Sequence, residues 1–452
     1  PRGFGETLPF RELYRPRDVT RIPGGPLAVL PPRGLMLDAS GGGGTPELGN
    51  LISTDLSEQK GLIASPDGRF LYISTVFDNR TSVFRRTADN GIEAVGLLSS
   101  IRAPLAISPD GLFFVSPDFR GEITVATRDI GTGLPGEETA TGIEIDEIRS
   151  LVFAPDGRTF FVIVEEDFSF GFPSRGALLT FDPNLRTLDF APNSSTFTNS
   201  EAAIFSPDAR FLYTLARGAG DGGGLVLRTH ERSGSTYALS SEAVLSDRAP
   251  TSLPRLAVDP GGLFLYASDG GGGLHAFRRD VATGELTPGR VFEQGVDDVD
   301  WLEAPSKFDS LSLETGPGLL YVASAAASSL TTLSWGCQET ATRHCFLDGR
   351  FAVDVAWEDL QGGTGVGRTV PGASDESGMF WFFDPQNWEM LVKVLDGCAF
   401  NDRFWVFTAA TTNVGFTLTV TDTSTGEQMT YQNPVRTSAG AIVDTETLDG
   451  CP

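Results

Sequence analysis

Few residues of this chain have the types and spacing that chemistry needs. There are three His, namely His230, His275 and His344, in 452 residues. None has a second imidazole or a Cys-x-x-Cys pair at metal-ligand spacing. His275 falls within a strand pattern, His230 follows another, and His344 lies among the Cys near the end of the chain. Spacing alone assembles no general base with cationic partners from them, so no catalytic residue is assigned. Two carboxylate clusters, Glu165-Glu166-Asp167 and Asp297-Asp298 with Asp300, carry the hard oxygens that calcium prefers. Neither has the spacing of a cation loop, so both read as solvated charge, with calcium as the competing option and no metal ligand assigned. Asp221-Gly222-Gly223-Gly224 and the run from Asp269 to Gly273 resemble phosphate cradles in composition only. No helix follows to present its N-terminus, so they read as hairpin connections and no cofactor-binding residue is assigned. The rings of Phe380-Trp381-Phe382-Phe383 and Trp388 would suit a carbohydrate platform, but alternation along a strand favours core.

The four Cys, Cys337, Cys345, Cys398 and Cys451, all fall in the last quarter of the chain. Their even number fits two disulfides stapling a terminal domain in an oxidising compartment. Three connectivities are possible. Cys337 with Cys345, closing a short local loop, and Cys398 with Cys451, tying down the chain end, is the favoured one.

The remainder is built from a repeat. Ser65-Pro66-Asp67-Gly68-Arg69-Phe70-Leu71-Tyr72 recurs at Ser108-Pro109-Asp110-Gly111, Ala154-Pro155-Asp156-Gly157, Ser206-Pro207-Asp208-Ala209 and Asp259-Pro260-Gly261-Gly262, each followed by an aromatic and aliphatic run. Proline presets a turn, Asp bonds its own backbone, and Gly accepts a positive φ, so each copy reverses the chain and feeds a strand. The repeat turns are thus Asp67 and Gly68, Asp110 and Gly111, Asp156 and Gly157, Asp208, and Gly261. The apolar run ahead of each turn is the partner strand. A third strand follows, as in Thr81–Arg86 and Gly273–Arg279, whose alternation predicts one wet face.

Degenerate copies at Pro31–Ser40 and Gly316–Ser324 bring the total to seven. The spacing between equivalent positions grows from 35 to 55 residues, and the spacings from the second onward suit four-stranded units. The expected fold is all-β: a seven-bladed β-propeller over 1–336, with six blades as the alternative, and a C-terminal β-sandwich over 337–452. The last blade lacks a fourth strand before Cys337. The alternating N-terminal run Glu6–Tyr14 is the candidate to close it, with Pro9 at an edge position.

A net charge of −25, from 59 acidic and 34 basic residues, argues against a nucleic-acid groove or an anionic membrane surface. No apolar run is long enough to span a membrane. The sequence begins at Pro1 and not at Met, which fits removal of a leader and export to the cell surface or beyond.

The repeat resembles the blade unit of lactonase-like seven-bladed propellers and of YVTN-type surface-layer proteins. The strand and turn from Leu274 to Thr287 is similar to one that the lactonase-type propellers carry. The segment Gly349–Pro434, with Gly365-Val366-Gly367-Arg368-Thr369-Val370-Pro371, is similar to an uncharacterised domain at the C-termini of exported bacterial proteins. The first resemblance implies either hydrolysis of a sugar or muconate-type lactone, or a scaffold. With no catalytic set assignable, the expected function is a non-enzymatic exported propeller that binds or assembles through protein contacts, with itself among the candidate partners. Lactone hydrolysis and carbohydrate binding are the alternatives. An Arg and Glu cluster in the central funnel would favour the hydrolase.

Overall fold

The computed structural model describes residues 6–9, 18–22, 27–30, 35–37, 59–75, 80–87, 91–98, 101–118, 120–145, 148–164, 175–192, 197–218, 223–250, 252–293, 311–316, 319–324, 329–334, 337, 339–347, 349–423, 427–448 and 451. The chain divides into two compact units, a larger one within 5–333 and a smaller one that contains 334–452.

Within the larger unit, the described residues form seven antiparallel sheets. In chain order, the first contains Asp18–Arg21, Leu27–Leu30 and Met36–Leu37, and the second Gln59–Ala64, Phe70–Thr75, Thr81–Arg86 and Ile92–Leu98. The third contains Ala106–Ile107, Phe113–Pro117, Glu122–Arg128 and Pro135–Glu144, and the fourth Ile148–Phe153, Thr159–Val164, Arg175–Asp182 and Thr187–Phe190, with Phe197–Thr198 beside them. The fifth contains Ser200–Phe205, Phe211–Arg217, Leu225–Ser233 and Thr236–Ser246, and the sixth Arg255–Val258, Phe264–Ser268, Gly273–Arg279 and Leu286–Glu293. The seventh contains Leu311–Gly316, Leu319–Ser324 and Ser329–Ser334, and takes its outer strand from Glu6–Pro9. That strand pairs antiparallel with Ser329–Thr332. The second and third sheets meet through Phe70, Tyr72, Ile107 and Phe114, the first strands of the other successive sheets contact one another, and Leu311–Gly316 returns to Asp18–Arg21, so the sheets form a closed ring.

The continuous apolar runs follow from this ring, because most sheets are covered on both faces. Leu71 and Ile73 pack with Ala28 and Leu30 of the first sheet, whereas Phe70 and Tyr72 on the opposite face pack with Ile107 and Phe114 of the third. Burial of each such side chain contributes about 1.5–3 kcal/mol. The same two-sided burial corrects the expectation of a wet face on the third strands. Glu122–Arg128 is buried at most positions, and the exposed faces fall on fourth strands such as Pro135–Glu144.

The turns show why the repeat is written as it is. Ser65, Ser108 and Ser206 donate through Oγ to Asp67, Asp110 and Asp208. The same hydroxyls accept from the backbone N–H of Phe70, Phe113 and Phe211 at 3.0, 3.0 and 2.9 Å. In the sixth sheet one residue does both jobs. Asp259 replaces the serine and accepts from Phe264 N at 2.5 Å and Gly261 N at 3.1 Å, while the left-handed position falls on Gly262, φ +70°.

In the smaller unit, two five-stranded antiparallel sheets share one core. One contains Arg343–Phe346, Phe351–Glu358, Thr364–Val366, Gly415–Asp422 and Gln428–Asn433. The other contains Arg368–Thr369, Ser377–Trp381, Trp388–Asp396, Phe404–Ala410 and Ile442–Leu448. Four of these ten strands, Arg343–Phe346, Thr364–Val366, Arg368–Thr369 and Ile442–Leu448, are short or terminal and complete the sheets. Disulfides join Cys337 to Cys345 and Cys398 to Cys451. This is the favoured pairing, and both bridges belong to an oxidising compartment.

Candidate functional site

Three inner strands carry an extra residue ahead of their apolar run. The ladder slips between Gln59 and Gly61, between Ile148 and Ser150, and between Ser200 and Ala202, which leaves Lys60, Arg149 and Glu201 as bulge residues at one register position. A bulge re-aims its side chain out of the pleat. Arg149 and Glu201 meet across neighbouring sheets, with Arg149 Nη1 donating to Glu201 Oε2 at 2.6 Å. Arg217, at the end of the fifth sheet's second strand, donates through Nε to Glu201 Oε1, also at 2.6 Å. Both carboxylate oxygens are thereby held by guanidinium groups. Burial disfavours the Glu201 charge, yet Arg149 and Arg217 outweigh it and keep the carboxyl below its usual range.

Arg149 is the unusual member. Its side chain is only 10% exposed, and its Nε and Nη2 are buried without a hydrogen-bond partner among the described residues. Buried donors left unmade cost about 1–3 kcal/mol each, so such a group points to something that completes it. Fixed cationic N–H groups on an innermost strand suit an anionic oxygen, above all a carboxylate.

The residues singled out from sequence lie elsewhere. His230 is buried against Phe197 and bonded to Thr214, and burial lowers it to about 4, so it stays neutral. His275 is on a third strand, with Nε2 3.6 Å from Asp269. His344 is buried in the smaller unit between Glu339 and the Met379 carbonyl. Phe380 and Phe382 are core, whereas Phe383 and Trp388 are about half exposed, so the aromatic run is split between core and surface. Glu165, Glu166, Asp167, Asp297, Asp298, Asp300, Asp221 and Gly222 lie outside the described residues. Among the described residues no group of three or more His, Cys, Asp or Glu could hold a metal ion, and no helix is long and apolar enough to cross a membrane.

Sequence reasoning missed Arg149, Glu201 and Arg217. A signal was present. Lys60, Arg149 and Glu201 each stand five residues ahead of the Ser or Ala that opens the turn, a charged residue beside an apolar run at constant spacing.

No family model matches the chain, and no curated protein matches it. By structure it is similar to the β-propeller domain of Cps50 (Swd1) from Myceliophteria thermophila, at 14% identity and a TM-score of 0.51, covering 73% of this chain and 99% of that one. The chain folds as a β-propeller. A functionally unknown protein from Desulfotomaculum acetoxidans overlays this propeller at 15% identity and a TM-score of 0.51, covering 67% of this chain and 89% of the other. The periplasmic gluconolactonase of Pseudomonas aeruginosa reaches a TM-score of 0.44 at 19% identity, covering 62% and 86%.

Proposed function

We propose that this chain is an exported, non-enzymatic, seven-bladed β-propeller joined to a β-sandwich over 337–452, and that it binds a protein partner by taking a carboxylate at Arg149. The seven sheets and the closing strand Glu6–Pro9 support the blade count. The single observation behind the binding reading is the buried Arg149, two of whose donors are unengaged among the described residues. An acidic side chain from a partner loop would satisfy both.

The Arg149–Glu201–Arg217 cluster is of the residue types that favour a hydrolase, but the charge state of its carboxylate counts against that reading. A general base works best when its pKa lies near the operating pH. Glu201 is driven the other way by two arginines, and no described imidazole joins it. A lactone hydrolase is the second reading, because the Arg149 donors next to Glu201 would also stabilise a developing oxyanion.

Calorimetric titration with a glutamate-rich peptide and a parallel assay of gluconolactone hydrolysis separate the two. Peptide binding weakened about ten- to a hundredfold in Arg149→Met, with no hydrolysis above the uncatalysed rate, is the expected result. Turnover that Glu201→Gln abolishes would replace this reading with the hydrolase. Absence of both binding and turnover would overturn it.

A further inference from the structure

The two outer faces of the β-sandwich in the smaller unit are unlike. On the sheet built around Phe351–Glu358, Ala352, Asp354 and Ala356 stand opposite Thr421, Thr419 and Thr417, a small and polar surface. On the other sheet, the positions that alternate with the core residues Phe380, Val392, Phe404 and Val406 hold rings and long aliphatics. Trp381 is opposite Trp388, Met379 opposite Leu391, Leu395 opposite Trp405, and Phe407 opposite Val443. None of these eight belongs to the core of the unit. Trp388 and Val443 are 51% and 68% exposed, and Phe400, on the short helix Cys398–Asn401, adds a ring 79% exposed at 5.4 Å from Trp405. A contiguous exposed patch of this kind marks a binding surface.

The charges on this face say what covers it. Residues 337–452 carry 16 Asp and Glu against 6 Lys and Arg. Yet the exposed charges among the rings are cations: Arg368, opposite Trp381 and 5.5 Å from its ring centre, and Lys393, opposite Phe407. The carboxylates of the same strands are turned elsewhere. Asp396 and Asp444 are opposite the core residues Phe404 and Val406, Glu446 falls in the irregular stretch between Asp444 and Leu448, and Glu389 is buried and accepts from Phe382 N at 2.6 Å. The complementary ligand is therefore an anion, and the planar guanidinium favours a carboxylate.

The rings say what carries that carboxylate. Trp388 donates its indole N–H to the Pro385 carbonyl at 3.1 Å, and Trp405 donates its own to Asn401 Oδ1 at 2.8 Å. Both indoles are thus fixed with their polar edges spent and their electron-rich faces left to attract the polarised C–H groups of a sugar ring. Trp388 lies at one end of its strand and Leu395, beside Trp405, near the other, about 20 Å apart, which calls for an extended polymer and not a compact ligand. The disulfides belong to an oxidising compartment, where such a polymer is a glycan and not a nucleic acid. We propose that this face of the smaller unit binds a linear polysaccharide of uronic-acid units, its sugar rings stacked on Trp388 and on the Phe400–Trp405 pair and its carboxylates held by Arg368 and Lys393. The site is separate from Arg149 and does not rest on it.

Calorimetric titration of the full chain with oligogalacturonate and with alginate oligomers, beside a neutral cello-oligosaccharide and a glutamate-rich peptide, tests this. At least one uronate oligomer is expected to bind, more weakly as salt is added, and to quench tryptophan fluorescence. Trp388→Ala/Phe400→Ala and Lys393→Gln should each weaken it about tenfold with an unchanged melting temperature. Arg149→Met, and Phe190→Ala at a 55% exposed ring of the larger unit, should bind as wild type does. No binding of either uronate, equal binding of the neutral oligosaccharide, or affinity retained by the double ring variant would each overturn the proposal. A glutamate-rich peptide that binds Arg149→Met and displaces the uronate would give the face to a protein partner instead.

Discussion

Arg128 donates through Nε to the phenol oxygen of Tyr72 at 2.7 Å, although the two are 56 residues apart and belong to neighbouring sheets. The same guanidinium donates to the Gly111 carbonyl at 2.9 Å, reaches Asp67 at 3.5 Å and lies 5.2 Å from the centre of the Phe70 ring. Tyr72 in turn donates to the Gly133 carbonyl at 2.8 Å, and its phenol is pushed up to about 12 by burial. The arrangement recurs between the fifth and sixth sheets, where Arg279 meets Tyr213 at 2.7 Å, the Gly262 carbonyl at 2.9 Å and Asp208 at 3.4 Å. The corresponding position of the fourth sheet holds Phe181, edge-on to Phe113 at 5.3 Å, and that of the fifth holds Arg232, paired with Asp156 at 2.7 Å. One site is thus filled by whichever group the preceding sheet can satisfy.

Removing the guanidinium should therefore loosen two sheets at once. Arg128→Leu leaves Asp67 and the Gly111 carbonyl without their partner and is expected to cost about 3 kcal/mol. Arg128→Lys should recover little, since an ammonium has no planar fork. Chemical denaturation of the propeller unit measures both, and a loss below about 1 kcal/mol for the leucine variant would contradict the locking role.

Gly133 and Gly284 are predicted to be intolerant of even one methyl. Their φ values are +72° and +71°, and an added Cβ would stand 2.4 Å from Phe70 Cδ1 and 2.3 Å from Phe211 Cδ1. The left-handed backbone and the clash add, so Gly133→Ala and Gly284→Ala should each destabilise by about 2 kcal/mol or more. Gly142→Ala is the control, because its φ is +73° but nothing lies within 4 Å of the new atom. It should cost about 1 kcal/mol.

Two buried groups should give stability opposite slopes with pH. Asp259 is raised from 3.8 to about 6 by burial, so its contribution is complete below about pH 3.8 and is lost as pH rises through 6. His230 is lowered from 6.5 to about 4 by burial, so its contribution is complete above about pH 6.5 and is lost as pH falls through 4. Each amounts to about 3 kcal/mol, and they nearly cancel in wild type. Asp259→Ser, which restores the residue type of the other turns, should leave stability falling as pH drops from 6 to 4. His230→Gln should leave it rising. Denaturation midpoints across that window check both signs, and unchanged slopes in both variants would refute the assignment.

The two disulfides should contribute unequally to the smaller unit. Cys398 and Cys451 are separated by 53 residues, Cys337 and Cys345 by 8. In the chain-entropy account the longer loop is worth about 4 kcal/mol and the shorter about 2.5. Paired Ala replacement at each bridge should rank accordingly in thermal melts of the smaller unit.

What could be read in advance was whatever is local. Asp67-Gly68 writes its own turn, Phe70 to Ser74 its own strand, and the nearness of Cys337 to Cys345 its own bridge. Arg128 was opaque because its ligands come from the preceding sheet, and a basic residue at a strand end ordinarily means solvent. Glu201 was opaque for the same reason, since the bulge that turns it toward Arg149 exists only once Ser200 and Ala202 have found their partners. Asp259 was visible as a departure from the repeat, but its consequence depends on burial, which spacing does not encode.

The pairing of Glu6–Pro9 with Ser329–Thr332 bears on how the molecule is made. A ribosome delivers the first of these strands long before the second, so the wheel stays an open arc until nearly all of its rim has emerged. Neither terminal sheet of that arc has its neighbour until then. A truncated nascent chain ending before Ser329 would lack the zip altogether and should be a ready substrate for proteases, whereas the finished ring would resist them as a single cooperative body.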